Sequence, residues 1–210
     1  MAVKRRIDAR AIAVLVMGYL IGVIAYPQLP GPFLDQRLFA RILVAFTLPT
    51  TALVIYTLFR SLWIHDRIRS GNGAFESTYH AIVLWALLFV LALHVLVMIE
   101  LTAMDAVGLR MFAGRAVVVL FGVALIAIGN LLPRTRPNVA VGVRTTRTLT
   151  NTQMWQQVHR AGGYATVGLG IVIAVTGLVL THETLGAVIS AAALCAAMVV
   201  FASYRKHASA

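Results

Sequence analysis

Apolar residues in this chain fall in long unbroken runs rather than in amphipathic stripes. Six such runs stand out, at about 11–26, 39–63, 78–101, 112–131, 163–180 and 185–204. A helix rises about 1.5 Å per residue, so a run of roughly 20 residues matches the ~30 Å hydrocarbon core of a bilayer. The first run is near the lower limit of that length. Polar residues collect in the breaks between runs. The pattern predicts an all-α polytopic membrane protein: a single transmembrane domain over residues 1–210, built as a bundle of six transmembrane helices. Pro49 falls inside the second span and predicts a kink there, which membrane helices tolerate.

The longest break is also the most structured. It runs from Gly129 to Gly163, between the fourth and fifth spans. Gly129-Asn130 is suited to the left-handed conformation that ends a helix, and Pro133 cannot continue one. Asn138 suits an Asx-type turn and Gly142 a positive φ. Thr150-Asn151-Thr152-Gln153 reads as a capping box opening a further helix. That helix carries Met154, Trp155 and Val158 at helical spacing before Gly162-Gly163. The break therefore reads as a structured loop and not as a slack linker.

Composition supports the membrane reading. The chain is 60% hydrophobic and 12% charged, far from the soluble range. Its net charge of +11 does not call for nucleic acid, because Lys and Arg gather at cytoplasmic helix ends. With the N-terminus inside, fourteen of the eighteen basic residues fall on the cytoplasmic side. This split favours both termini cytoplasmic and puts the Gly129–Gly163 loop on that face. A basic start followed by an apolar run also fits a signal peptide, but no small-x-small cleavage site follows. The single Cys195 lies in an apolar run and allows no disulfide framework. No nucleophile motif, phosphate loop, paired zinc-ligand motif or haem motif is present, so no catalytic residue, metal or cofactor is expected.

The residues that stand out in the loop each have a plain structural reading beside a functional one. Arg144 either anchors to anionic lipid or bridges loop carbonyls and binds an anionic group with its five-donor fork. Trp155 is either a belt anchor at the interface or a lid that packs back on Arg144. Asn130 and Asn138 are turn and cap residues first. His159 follows Trp155 by four residues and shares its helix face. Arg160 pairs with a helix end or with lipid. His94, in the middle of the third span, is the most interior ionisable residue and hence an intramembrane candidate, against the simpler reading of a satisfied core histidine.

Taken together, Gly129-Asn130, Arg136-Pro137-Asn138, Val141-Gly142-Val143-Arg144-Thr145, Thr148-Leu149, Trp155, His159-Arg160 and Gly162 resemble, in this order and spacing, the signature of the SdpI-type immunity protein family. The resemblance implies a bacterial inner-membrane protein that protects against a membrane-active toxic peptide. It also implies a receptor role in which a cytoplasmic repressor protein is held at the membrane, without direct contact to nucleic acid. The family carries a longer Leu-Pro-rich segment after the first span, of which only Leu29-Pro30 is kept here. On this reading Asn130, Asn138, Gly142, Arg144, Thr145, Thr148, Trp155, His159 and Arg160 form the binding and coupling surface, with membrane lipid as a further partner. The alternative is a small transporter or membrane enzyme whose cytoplasm-facing polar site reaches His94. A substrate-sized cavity at His94 would favour it.

Overall fold

In the computed structural model the backbone is described for residues 8–29, 37–70, 76–102, 107–138, 141–179 and 182–208. Seven α-helices account for nearly all of it: α1 (Ala9–Ala25), α2 (Arg37–Ser70), α3 (Glu76–Thr102), α4 (Val107–Leu131), α5 (Thr146–Thr150), α6 (Thr152–Val179) and α7 (His182–Ala208). No strand occurs among the described residues. Among the described residues five helical stretches are long and apolar enough to cross a membrane: Ala9–Gln28, Ala40–His65, Ser77–Thr102, Phe112–Arg134 and Thr152–Val179. The protein is a helical membrane protein, with its spans close to the first five apolar runs. Helix α7 occupies the sixth run and is 27 residues long. Gly71–Gly73, where a turn between the second and third spans is expected, and the whole of Pro30–Gln36 lie outside the described residues.

The chain divides into two compact units, residues 1–58 with 86–114 and residues 59–85 with 115–210. In the first, α1 opens on Asp8, whose carboxylate accepts the Arg10 backbone N–H at 3.0 Å. It ends in a single 3-10 turn at Tyr26–Gln28, begun by Pro27. Leu29 follows, buried, with its carbonyl held by the Arg41 guanidinium at 2.8 Å. Pro49 does not interrupt α2. Having no N–H, it leaves the Ala45 carbonyl without its usual helix donor. That carbonyl is covered by the Gly22 backbone of α1, so closely that a Cβ on Gly22 would stand 2.6 Å from it. Gly18, one turn earlier, lies on Pro49 itself.

The second unit is built around a glycine seam. Gly122 and Gly129 of α4 are seven residues apart, as are Gly163, Gly170 and Gly177 of α6. A Cβ on Gly122 would lie 2.5 Å from the Gly170 carbonyl oxygen, and one on Gly170 would lie 2.6 Å from that of Gly122. Gly163 faces the Gly129 carbonyl and Pro133 in the same way, at 2.8 and 2.9 Å. Gly177 meets Val118. The two backbones approach as small residues allow between membrane helices, where van der Waals contact and not hydrophobic burial drives association.

This seam corrects one expectation. Gly129-Asn130 does not end a helix: α4 runs through both to Leu131. Among the described glycines only Gly142 has a positive φ. Gly129 is glycine because Gly163 lies against it. The stop comes from Pro133, through a 3-10 turn at Leu132–Arg134. The helix that carries the fifth apolar run starts well before Gly163, since α6 continues unbroken from Thr152 to Val179.

Candidate functional site

The loop from Leu132 to Asn151 folds back on the first turns of α6, and the side chains of Asn138, Thr145, Thr148, Trp155 and His159 bond it together from within. Thr135 starts the fold. Its N–H and hydroxyl both go to the Leu132 carbonyl, at 3.0 and 2.7 Å. Asn138 then closes an Asx-type turn. Its Oδ1 accepts the Val141 N–H at 2.8 Å, and its Nδ2 donates to the Arg136 carbonyl at 2.6 Å. The side chain is only 4% exposed, so these bonds satisfy an amide that would otherwise be costly to bury.

Gly142 carries the chain onward at φ +113, a conformation L side chains rarely adopt. It has a second reason to be glycine, because a Cβ there would collide with Nε2 of His159. The next N–H, that of Val143, donates to that same Nε2 at 3.0 Å. The other ring nitrogen, Nδ1, lies 2.8 Å from the Trp155 carbonyl. The pair of contacts assigns the neutral ring with its proton on Nδ1. His159 is 2% exposed.

The capping box sits earlier than the sequence suggests. Thr145, not Thr150, is its N-cap, and Thr148 is its reciprocal partner. The Thr148 hydroxyl accepts the Thr145 N–H at 2.9 Å and donates to the Val143 carbonyl at 2.7 Å. This starts the five-residue helix α5, a turn too short to be seen as hydrophobic periodicity. Helix α6 is capped separately by Asn151, whose Oδ1 takes the Met154 N–H at 3.0 Å.

Trp155 joins the two ends of the loop. It is fully buried and therefore no belt anchor. Its indole N–H reaches the carbonyl and hydroxyl oxygens of Thr135, at 3.1 and 3.2 Å, across 20 residues of sequence. Its ring stacks on His159, with centroids 3.9 Å apart and planes 14° from parallel. The clasp thus runs from Thr135 through Trp155 and His159 to Val143. Thr135 was not among the residues singled out from sequence, because one threonine among several carries no local signal.

The surface of the site is of a different kind. Arg134, Arg136, Arg144, Arg147 and Arg160 are exposed, as is Asn130. The loop therefore has a neutral, internally bonded frame and a guanidinium-rich exterior.

His94 stands apart, in the other unit. It is 1% exposed and lies beside Gly18, and among the described residues neither ring nitrogen has a partner in hydrogen-bond geometry. The cavity it touches, lined also by Leu15, Pro49, Ala52 and Leu87, holds about 10 Å³, the least a single water needs. His80, fourteen residues before it on α3, lies 6.1 Å from Trp63 in the second unit and is not part of this cavity.

Long apolar helices joined by a clasped, arginine-bearing loop define an integral membrane protein whose polar architecture is concentrated in one loop. Residues 134–204 match the SdpI/YfhL protein family, a span that holds the clasp from Thr135 onward together with α5, α6 and most of α7. The resemblance carried by the loop residues is thereby borne out. No curated protein and no solved structure matches the chain.

Proposed function

We propose that this chain is a membrane immunity protein, protecting the cell that makes it against a membrane-active toxic peptide. The observation that carries the reading is the coincidence of the family match with the clasped loop. The matched segment begins at Arg134, where the loop leaves α4, and includes the loop's hydrogen-bonded frame. A frame so closed presents a fixed surface, which is what recognition of a partner requires.

In this reading α7 completes six spans, both termini are cytoplasmic, and the loop lies on the cytoplasmic face of the bacterial inner membrane. The loop's outer surface is the part offered to a cytoplasmic regulator such as a repressor. The side chains of Asn138, Thr148, Trp155 and His159 support that surface without themselves contacting the partner. A transporter reading gains nothing from the space at His94, which is too small for a substrate.

The test is survival of a sensitive host expressing the protein and challenged with membrane-active peptides. Three forms are compared at equal membrane level: wild type, Arg144→Ala, which alters the surface, and Thr148→Val, which opens the frame. Protection by the wild type that is weakened in both variants supports the reading. Absence of protection against every peptide tested would sink it.

A further inference from the structure

We propose that the exterior of the loop is a binding surface for the phosphate groups of anionic phospholipids, so that the loop is seated on the headgroup layer. The argument begins with length. Helix α6 has 28 residues and spans about 42 Å, while the hydrocarbon core needs only about 30 Å. Roughly 12 Å of helix therefore stands outside the core.

The side chains say which end that is. Before Gly162 the exposed positions of α6 are Thr152, Gln153, Gln156 and Arg160, all polar. After it they include Tyr164, Ile171, Val175 and Leu178. The first turns of α6 thus occupy the headgroup layer. The loop is tied to those turns by Trp155 and His159, so it lies at the same depth and not free in the water beyond.

The charge fits that place. Between Asp105 and Glu183 the chain has no acidic residue, so the arginines of the loop meet no carboxylate from their own segment. Lysine is absent from Ile7 to Arg205, and every cation of the loop is arginine. A guanidinium forks onto two oxygens of one phosphate, whereas an ammonium acts only as a point charge. An acidic protein would also attract this surface, but a partner at headgroup depth must compete with lipid that is already there. The inference rests on the loop lying at the cytoplasmic surface, as in the reading above, and not on the identity of the toxin.

The full chain is purified in a mild detergent with mixed phosphatidylglycerol and phosphatidylcholine of equal chain length, and retained lipids are counted by native mass spectrometry. Wild type is expected to retain phosphatidylglycerol preferentially. The preference should fall about fivefold for each arginine removed in Arg134→Gln, Arg136→Gln and Arg160→Gln. Arg205→Gln, far along the chain, controls for general loss of charge and should change it least. Single and triple variants are compared, so that a triple variant that fails to fold does not end the test.

No lipid preference in the wild type would overturn the inference, as would displacement of phosphatidylglycerol by millimolar inorganic phosphate, which would assign the site to soluble phosphate. Binding of a polyglutamate peptide at equal strength with and without phosphatidylglycerol would overturn it in favour of an acidic protein. The survival assay is scored separately. Protection without lipid preference removes only this inference, and lipid preference without protection removes only the immunity reading.

Discussion

Nε2 of His159 accepts the backbone N–H of Val143 at 3.0 Å, and the ring fills the space a side chain on residue 142 would need. One imidazole therefore enforces both the course of the loop and the identity of its glycine. Gly142→Ala has two faults, a φ of +113 and a collision with that ring. A loss of about 2–4 kcal/mol is expected, the cost of a strained φ with a clash added. Thermal unfolding of the detergent-solubilised protein reads it. A variant as stable as the wild type would show that the loop has another conformation of equal energy.

His159→Phe keeps an aromatic ring against Trp155 but offers no acceptor to Val143. It is expected to cost about 1–3 kcal/mol, the penalty of a buried N–H left unpaired. Hydrogen exchange at the Val143 amide should rise in the variant while amides in the middle of α6 stay protected. Unchanged exchange at Val143 would mean that the 3.0 Å bond contributes nothing.

Trp155→Phe and Thr135→Val each remove part of the clasp. A double-mutant cycle should give a coupling of about 0.5–1.5 kcal/mol, since the Thr135 hydroxyl is one of two oxygens facing the indole N–H. Both residues are almost fully buried, so solvent offers little compensation. Strictly additive losses would show that the hydroxyl contributes nothing and that the Thr135 carbonyl alone holds the indole N–H.

The glycine seam carries its own control. Gly122→Ala and Gly170→Ala place a methyl within 2.6 Å of the facing backbone and should destabilise by about 1–3 kcal/mol or separate α4 from α6. Gly114→Ala and Gly168→Ala meet nothing within 4 Å and should be neutral or gain up to about 1 kcal/mol from helix propensity. Equal effects at all four positions would discard the seam.

His94→Leu removes two ring nitrogens that have no hydrogen-bond partner among the described residues and keeps an apolar group in an apolar cavity. The variant should be as stable as the wild type or more so, because the desolvation of the imidazole is no longer incurred. It should also protect the host fully. Lost protection at an unchanged membrane level would return His94 to the functional site.

The spans were legible because a membrane helix advertises itself by unbroken apolarity, and the first five runs match to within a few residues at most of their ends. The loop was legible as structured, since Asn138, Gly142 and Pro133 each restrict the backbone by themselves. Its connections were not. A glycine looks the same whether it supplies a positive φ, as Gly142 does, or lets two helices touch, as Gly129 does. Only the seven-residue spacing of Gly163, Gly170 and Gly177 separates the two uses. Trp155 reads as an interfacial aromatic, and its buried bond to Thr135 depends on a fold-back that no local pattern encodes. Asn138, Thr145, Thr148, Trp155 and His159 turn out to hold the loop together, while Arg144 and Arg160 lie on its face with the other arginines.

Helix α6 holds the clasp residues Trp155 and His159 at one end and the seam glycines from Gly163 to Gly177 along the rest, with no break between them. The result is a lever with no joint. A turn or shift of α6 against α4 moves the clasp by the same rotation, because the helix is unbroken between seam and clasp. Side-chain-free glycine contacts resist such sliding less than interlocked side chains do. A motion along the seam thus has a mechanical route to the loop that passes through a single rod.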